Sequence, residues 1–172
     1  MLTLLLLRHA KSSWDDPGLD DFDRPLTKRG TKAAVAIGQY IDKARLAPGL
    51  VLCSTAVRTR ATLTLVLREI DCPAPQVSFE ESFYLAPASA LLDRLRECDG
   101  RHTTVLIVAH NPGIHALALE LAGDGSRENL SELAMQFPTA ALARLTFRAP
   151  SWSKVLPATG ELVDFVIPRK LD

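Results

Sequence analysis

Two short runs made only of apolar residues most strongly constrain how this chain can fold. They occupy residues 4–7 and 105–108. Continuous apolar runs of this length are typical of strands buried on both faces, as in a parallel sheet covered by helices. Each run passes directly into polar residues, Arg8 and His9 after the first and His110 after the second. The sequence therefore predicts an α/β fold in which polar groups gather where strands end.

The rest of the chain alternates between strand-like and helix-like segments. Further strands are predicted at 50–53 and 77–79, and helices at 28–44, 57–70, 88–98 and 112–121. Thr27 is expected to cap the first helix, and Asn111 to cap the last one, with Pro112 at its first position and Gly123 closing it. Segments 142–147 and 161–167 have no long helix between them, so a hairpin is expected.

Together these segments predict a three-layer α/β sandwich. Its central sheet would be mostly parallel with an antiparallel edge, and helices would cover both faces. We find no linker, repeat or low-complexity tract, and residues 1–172 are expected to form a single domain.

Charge and cysteine usage limit the classes of partner and the compartment. The chain carries 20 basic and 20 acidic residues, whereas general nucleic-acid or membrane-surface binders usually have a basic excess. The three cysteines lack metal or redox spacing, which suggests reduced thiols. The first apolar run stops at Arg8, too short for a membrane span of roughly 20 residues, and it lacks signal-peptide features. A cytoplasmic protein without cofactor, nucleic-acid or membrane partner is expected, and its oligomeric state is left open.

Three strand ends carry residues suited to binding an anion. If the strands are parallel neighbours, His9, Arg58 and His110 converge on one crevice at their carboxyl ends. Guanidinium groups form bidentate hydrogen bonds with phosphate, so phosphate is the expected ligand. Each residue alone has an ordinary explanation, since a histidine can be a hydrogen-bonded structural residue and an arginine can cover a helix face. Their combination after successive strands favours a functional site.

Residues around these strand ends form four motifs in order along the chain: Arg8-His9-Ala10, Asp23-Arg24-Pro25-Leu26-Thr27-x-x-Gly30, Ser54-x-x-x-Arg58-Thr59-x-Ala61-Thr62 and His110-Asn111-Pro112. The four motifs together resemble those of the histidine phosphatase superfamily, which also contains phosphoglycerate mutases. Within that superfamily the chain resembles the short phosphohistidine phosphatases of the SixA type. One departure is Ala10, where the family usually has glycine.

The resemblance implies a phosphoglycerate mutase-like fold and a metal-independent reaction. His9 would attack phosphorus, Arg8, Arg58 and His110 would bind the phosphoryl oxygens, and water would release phosphate. Nearby arginines should lower the pKa of His9 and keep it neutral. Lys11 and Ser12 follow the nucleophile and are candidate substrate ligands, although an outward, solvated lysine is equally compatible.

The proton donor has several candidates. Glu81 follows a short predicted strand and is taken as the proton donor, while a solvated loop acid is the alternative reading. Other candidates are Glu80 and the loop aspartates Asp15, Asp16, Asp20, Asp21 and Asp23.

The expected activity is hydrolysis of phosphohistidine on a protein. The alternatives are a broad small-molecule phosphomonoesterase and a non-catalytic phosphate-binding adaptor on the same fold. A metal-dependent phosphatase would need clustered ligands where these motifs have arginine. The short segments between motifs predict an open site that admits a phosphorylated protein or a small phosphoester.

Overall fold

The computed structural model describes residues 1–172, and a seven-stranded sheet lies at its centre. In order across the sheet the strands are β3-β2-β4-β1-β6-β7-β5. Their bounds are β1 Leu2–Arg8, β2 Leu50–Ser54, β3 Gln76–Glu80, β4 Thr104–Ala109, β5 Ala122–Gly125, β6 Leu142–Phe147 and β7 Gly160–Val166. The helices are α1 Lys28–Lys43, α2 Val57–Arg68, α3 Ala88–Arg96, α4 Gly113–Leu121 and α5 Arg127–Met135.

The strand directions confirm a mostly parallel sheet. β1, β4, β2 and β3 are parallel neighbours, and β6 runs antiparallel to both β1 and β7. The predicted hairpin of β6 and β7 is confirmed. Because β1 and β4 pair in register up to Arg8 and Ala109, His9 and His110 leave the sheet side by side.

Helices cover both faces of the sheet, as the apolar runs predict. Alternate residues of β1 point to opposite faces. Leu4 and Leu6 belong to a core shared with α3 and α4, whereas Leu5 and Leu7 belong to a second core shared with α1 and α2. All four leucines are fully buried. The three-layer α/β sandwich is thereby confirmed. No helix has both the length and the apolar character that crossing a membrane requires.

Two elements between α4 and β6 do not follow from the sequence pattern. β5 has the sequence Ala-Gly-Asp-Gly, which carries no apolar alternation, and it forms by pairing parallel to β7. Helix α5 begins after Ser126, whose side chain accepts a hydrogen bond from the Asn129 amide. Only Leu133 of α5 is buried, so its amphipathic signal is weak. Tertiary pairing, not local pattern, defines this region.

Helix boundaries confirm one predicted cap and correct another. The Thr27 side chain accepts a hydrogen bond from the Gly30 amide and caps α1. The predicted cap at Asn111 is wrong, because α4 begins at Gly113 with Pro112 at its N-cap. The Asn111 side chain instead donates to the carbonyl of Phe137 at 2.9 Å. The expected closure at Gly123 is also shifted, since α4 ends at Leu121 and Gly123 lies in β5.

Candidate active site

An open cleft of about 250 Å³ lies at the carboxyl ends of β1, β2 and β4. This is the edge at which ligands bind in open α/β sheets. The cleft brings together six of the seven residues predicted for the site, namely Arg8, His9, Lys11, Ser12, Arg58 and His110.

The His9 imidazole is oriented by its own loop. Its Nδ1 lies 2.8 Å from the carbonyl oxygen of Ala10. Because a carbonyl can only accept, Nδ1 carries the proton and Nε2 keeps its lone pair. Burial lowers the pKa of His9 to about 3, helped by the charges of Arg58, His110 and Arg8, although the bond to Ala10 acts in the opposite direction. His9 is therefore a neutral imidazole with an available nitrogen.

The loop that carries His9 is held from two sides. The Ala10 amide donates to the Thr62 hydroxyl at 2.9 Å. The Ala140 amide donates to the carbonyls of Arg8 and His9 at 3.1 and 3.0 Å. Ala10 is fully buried in the core under α1 and does not have a positive φ. The site thus accommodates alanine where the family usually has glycine, without backbone strain.

His110 lies beside His9, with 5.3 Å between the ring centroids. Its Nε2 is 2.7 Å from the Ser54 hydroxyl, while its buried Nδ1 has no partner within the protein. Burial lowers the pKa of His110 to about 4, together with the charges of Arg58 and Arg8, while Asp21 opposes the shift. A neutral ring in contact with Ser54 keeps its other nitrogen available for a further hydrogen bond.

The two predicted arginines each keep an unpaired nitrogen. Arg58, in the first turn of α2, is 2% exposed. It donates to the backbone carbonyl of Asp21 at 2.7 Å and to the Asp21 carboxylate at 3.0 Å. Arg8 donates to the carbonyl of Phe137 at 3.0 Å. The buried Nε atoms of both arginines have no partner within the protein. These contacts fix the guanidinium groups and leave donors free.

A third arginine joins the cleft. Arg24 donates to the Ser12 hydroxyl at 2.6 Å and to the Asp21 carboxylate at 3.0 Å. Its guanidinium lies 3.5 Å from the centre of the Trp14 ring, a cation–π contact. Ser12 is buried, and its hydroxyl accepts the hydrogen bond from Arg24. Lys11 lines the cleft with an exposed side chain.

Asp21 links these cations. Its carboxylate accepts from Arg24, from Arg58 and, through a short hydrogen bond, from the Tyr84 hydroxyl. Partial burial alone would raise the pKa of Asp21, but hydrogen bonds from Tyr84 and the arginines lower it to about 2. Burial and Asp21 raise the pKa of Tyr84. At neutral pH Asp21 is an anion that positions its cationic neighbours.

The structure does not bring Glu81 into the cleft. Glu81 is exposed at the start of a one-turn 3-10 helix that is anchored by the fully buried Phe83. Tyr84 and Leu85, which follow that turn, are the residues that face the site. Glu80 forms an ion pair with Arg94 at 2.8 Å. Among the acids considered from the sequence, Asp21 is the one that lines the cleft.

The sequence alone does not single out several of these residues. Arg24 lies inside the second motif and Ser54 begins the third, so motif membership was a usable signal for both. Asp21 was one of five loop aspartates with nothing to distinguish it. Tyr84 reaches Asp21 across 63 positions of sequence, a contact that no local pattern indicates.

Comparisons with known proteins match the chain to a family model, to a similar sequence and to solved structures. The family model "Histidine phosphatase superfamily (branch 1)" matches residues 4–83. A Mycobacterium tuberculosis protein without an assigned function is 38% identical over 165 residues, covering 95% of this chain and 100% of the relative. A Nakamurella multipartitia protein provisionally described as the phosphohistidine phosphatase SixA is 31% identical, with a TM-score of 0.84. That match covers 97% of this chain and 96% of the other.

A further solved structure bears on the fold alone. The protein histidine phosphatase SixA complexed with tungstate aligns with a TM-score of 0.79 at 20% identity. The alignment covers 99% of this chain and 100% of the other.

Proposed function

Because the chain belongs to the histidine phosphatase superfamily, we propose that it is a phosphohydrolase that forms a covalent phosphohistidine on His9. The proposed physiological substrate is phosphohistidine on a protein. The observation that carries the proposal is the pairing of a neutral, oriented imidazole with three unpaired buried nitrogens. These are His110 Nδ1 and the Nε atoms of Arg8 and Arg58.

In the first step, Nε2 of His9 attacks phosphorus. The new N–P bond forms as the bond to the leaving group breaks, and the leaving group takes the electron pair of that bond. The guanidinium groups and His110 bind the equatorial oxygens, where negative charge is spread in the transition state. The hydrogen bond from Nδ1 to Ala10 stabilises the positive charge that the ring gains on phosphorylation.

In the second step, water attacks the phosphorus atom bound to Nε2. The P–O bond forms as the P–N bond breaks, the electron pair returns to Nε2, and dihydrogen phosphate leaves with the oxygen and both protons of the water molecule. His9 is regenerated with its proton still on Nδ1. Splitting hydrolysis in this way replaces one difficult displacement by two easier ones.

In this mechanism, arginines stabilise the negative charge of the phosphoryl group. Arg8, Arg24 and Arg58 all line the cleft. No three residues among the histidines, cysteines and acids form a group with the geometry of a metal site. These observations support the proposal that turnover does not require a bound metal ion.

The protonation state of the acid in the cleft supports phosphohistidine as the substrate. Asp21 has a pKa of about 2 and is ionised at neutral pH, so it cannot supply a proton to a poor leaving group. A protonated imidazole leaves readily without a strong general acid, because it departs as a neutral ring. The cleft is also open and lined by exposed Lys11, which suits a side chain presented by another protein. The likeness to a SixA protein at 31% identity points to the same class of substrate.

A competition assay tests the substrate. A phosphohistidine-bearing carrier protein and p-nitrophenyl phosphate are offered together, and kcat/KM is measured for each. We expect the phosphohistidine protein to be preferred. A clear preference for small esters would replace this substrate by the small-molecule phosphomonoesterase alternative. Binding of phosphate with no turnover of either substrate would identify a non-catalytic adaptor.

A further inference from the structure

A second cavity of about 230 Å³ opens beside the catalytic cleft. Lys11 and Thr139 line both of them, so the two spaces adjoin at the loop that follows the nucleophile. The second cavity extends from there along the first half of α1 to the one-turn helix at Pro168–Lys170. A substrate bound in the cleft can therefore continue into it.

Four basic side chains line this cavity, namely Lys11, Arg29, Lys32 and Arg169. We call the cavity that they surround the basic groove. All four are exposed, and none takes part in an ion pair within the protein. The acid at its rim is Asp172. Since the whole chain has a formal net charge of zero, this local excess of positive charge sets the groove apart from the average surface.

The groove is held at a fixed place relative to His9. The backbone of α1 touches the loop after the nucleophile so closely that a Cβ on Gly30 would lie 2.1 Å from the Lys11 carbonyl oxygen. The Thr27 amide also donates to that carbonyl, at 2.9 Å. Arg29 and Lys32 lie in the first turns of this docked helix. Their charges are thus attached to the catalytic loop by a rigid contact.

The chemistry of the groove differs from that of the cleft. In the cleft, Arg24 and Arg58 are buried, 7% and 2% exposed, and have defined hydrogen bonds, as a compact phosphoryl group requires. In the groove the cations are exposed, and between them lie small or apolar residues such as Ala33, Pro138 and Ile167. Exposed cations without fixed hydrogen bonds, separated by apolar residues, suit carboxylate side chains on an extended segment better than a second phosphate.

We propose that the basic groove binds acidic side chains that flank the phosphohistidine of a protein substrate. This inference rests on the proposed function and adds to it a preference for the sequence around the target. The attraction acts between exposed charges, so it should weaken as salt shortens the Debye length from about 8 Å at physiological ionic strength. Selection by the groove would operate on substrate binding rather than on the chemical step.

Two double variants with equal charge changes test the groove. Arg29→Glu with Lys32→Glu reverses two of its charges, and glutamate near the start of a helix is tolerated well. The matched control, Lys28→Glu with Arg127→Glu, makes the same change in net charge at the exposed first residues of α1 and α5, which do not line the groove. Both variants should retain the kcat and KM of the wild type for p-nitrophenyl phosphate.

The probes are two synthetic peptides of equal length, each with one phosphohistidine, flanked by glutamates in one and by glutamines in the other. Two exposed ion pairs are worth roughly five- to tenfold in binding, so wild type and the control should prefer the glutamate peptide by about that factor in kcat/KM. The effect should lie in KM and shrink in high salt. The Arg29→Glu, Lys32→Glu variant should lose the preference.

Each contrary outcome has a separate meaning. Equal kcat/KM for the two peptides with wild-type enzyme, or an equal loss in the control variant, would overturn the groove while leaving the phosphatase intact. Cleavage of p-nitrophenyl phosphate without cleavage of either peptide would overturn the phosphohistidine assignment and this inference with it. Fructose 1,6-bisphosphate and fructose 6-phosphate serve as further probes, because only the first has a second phosphate. If the groove variant loses kcat/KM only with the bisphosphate, and not with fructose 6-phosphate or the peptides, the groove binds a second phosphate and the proposed peptide site is overturned.

Discussion

Lowering the pH from 7 to 5 should leave the proposed nucleophile in its reactive form. A histidine with the ordinary pKa of 6.5 would be only about 3% neutral at pH 5. His9, with its pKa lowered to about 3, would remain about 99% neutral at that pH. His110, with a pKa near 4, would remain mostly neutral as well. Protonation of these two groups should therefore lower the reaction rate only below pH 5.

The same pKa shifts predict a loss of stability on acidification. Between each lowered pKa and 6.5, the unfolded chain binds a proton that the folded protein does not bind. Stability consequently rises with pH across this window and falls as pH drops. Integrated from pH 7 to pH 5, each histidine contributes a loss of about 2 kcal/mol in the free energy of unfolding. Asp21, with its pKa near 2, remains ionised in the folded protein over this range.

Two measurements check the shifts. Titration of protein with isotope-labelled histidine, followed by NMR, should show His9 and His110 changing protonation only below pH 5, with His9→Gln and His110→Gln used to assign the signals. Urea unfolding at pH 7 and pH 5 should show a loss that is about 2 kcal/mol smaller in His9→Gln than in wild type. Titration of either histidine near pH 6.5, or an identical loss in the variant, would refute this account of the cleft.

Other predictions concern the remaining groups of the cleft. Arg58→Lys should be nearly as damaging as Arg58→Ala, because one ammonium cannot hold Asp21 and also present a second donor to phosphate. The loss should be about 3 kcal/mol, or roughly 100-fold in kcat/KM, and a Lys variant equal to wild type would exclude direct binding by Arg58. Ser54→Ala should lower kcat/KM about fivefold, since the His110 ring loses its orienting hydrogen bond, and an unchanged value would remove Ser54 from the site. Dialysis against a chelator should leave the rate unchanged while vanadate inhibits, whereas activity lost on chelation and restored by zinc or magnesium would contradict the metal-independent mechanism.

The residues that the sequence could predict are those placed by the sheet. Apolar runs identify β1 and β4, and parallel pairing then places His9 and His110 side by side, since both follow directly on paired strand ends. Arg58 joins them because β2 is a neighbour of β4 in the same direction. For this part of the site, strand order and direction are sufficient.

The rest depends on contacts that only the folded chain creates. Asp21 is distinguished from nearby aspartates by the positions of Arg58 and Tyr84, which come from α2 and from the segment after β3. Glu81 lies close to Tyr84 in sequence, yet the burial of Phe83 turns Tyr84 toward the cleft and leaves Glu81 in solvent. Strand β5 likewise exists through its pairing with β7. Such features require the three-dimensional arrangement rather than a periodic pattern.

The central claim, a covalent intermediate on His9, is tested most directly by trapping it. Enzyme mixed with a phosphate-labelled substrate is quenched without acid, digested, and the labelled peptide is sequenced by mass spectrometry. We expect label on the peptide that contains His9, as an adduct that is labile in acid and stable in base, and none in His9→Ala. Label on a serine or an aspartate, or turnover that persists in His9→Ala, would contradict the mechanism.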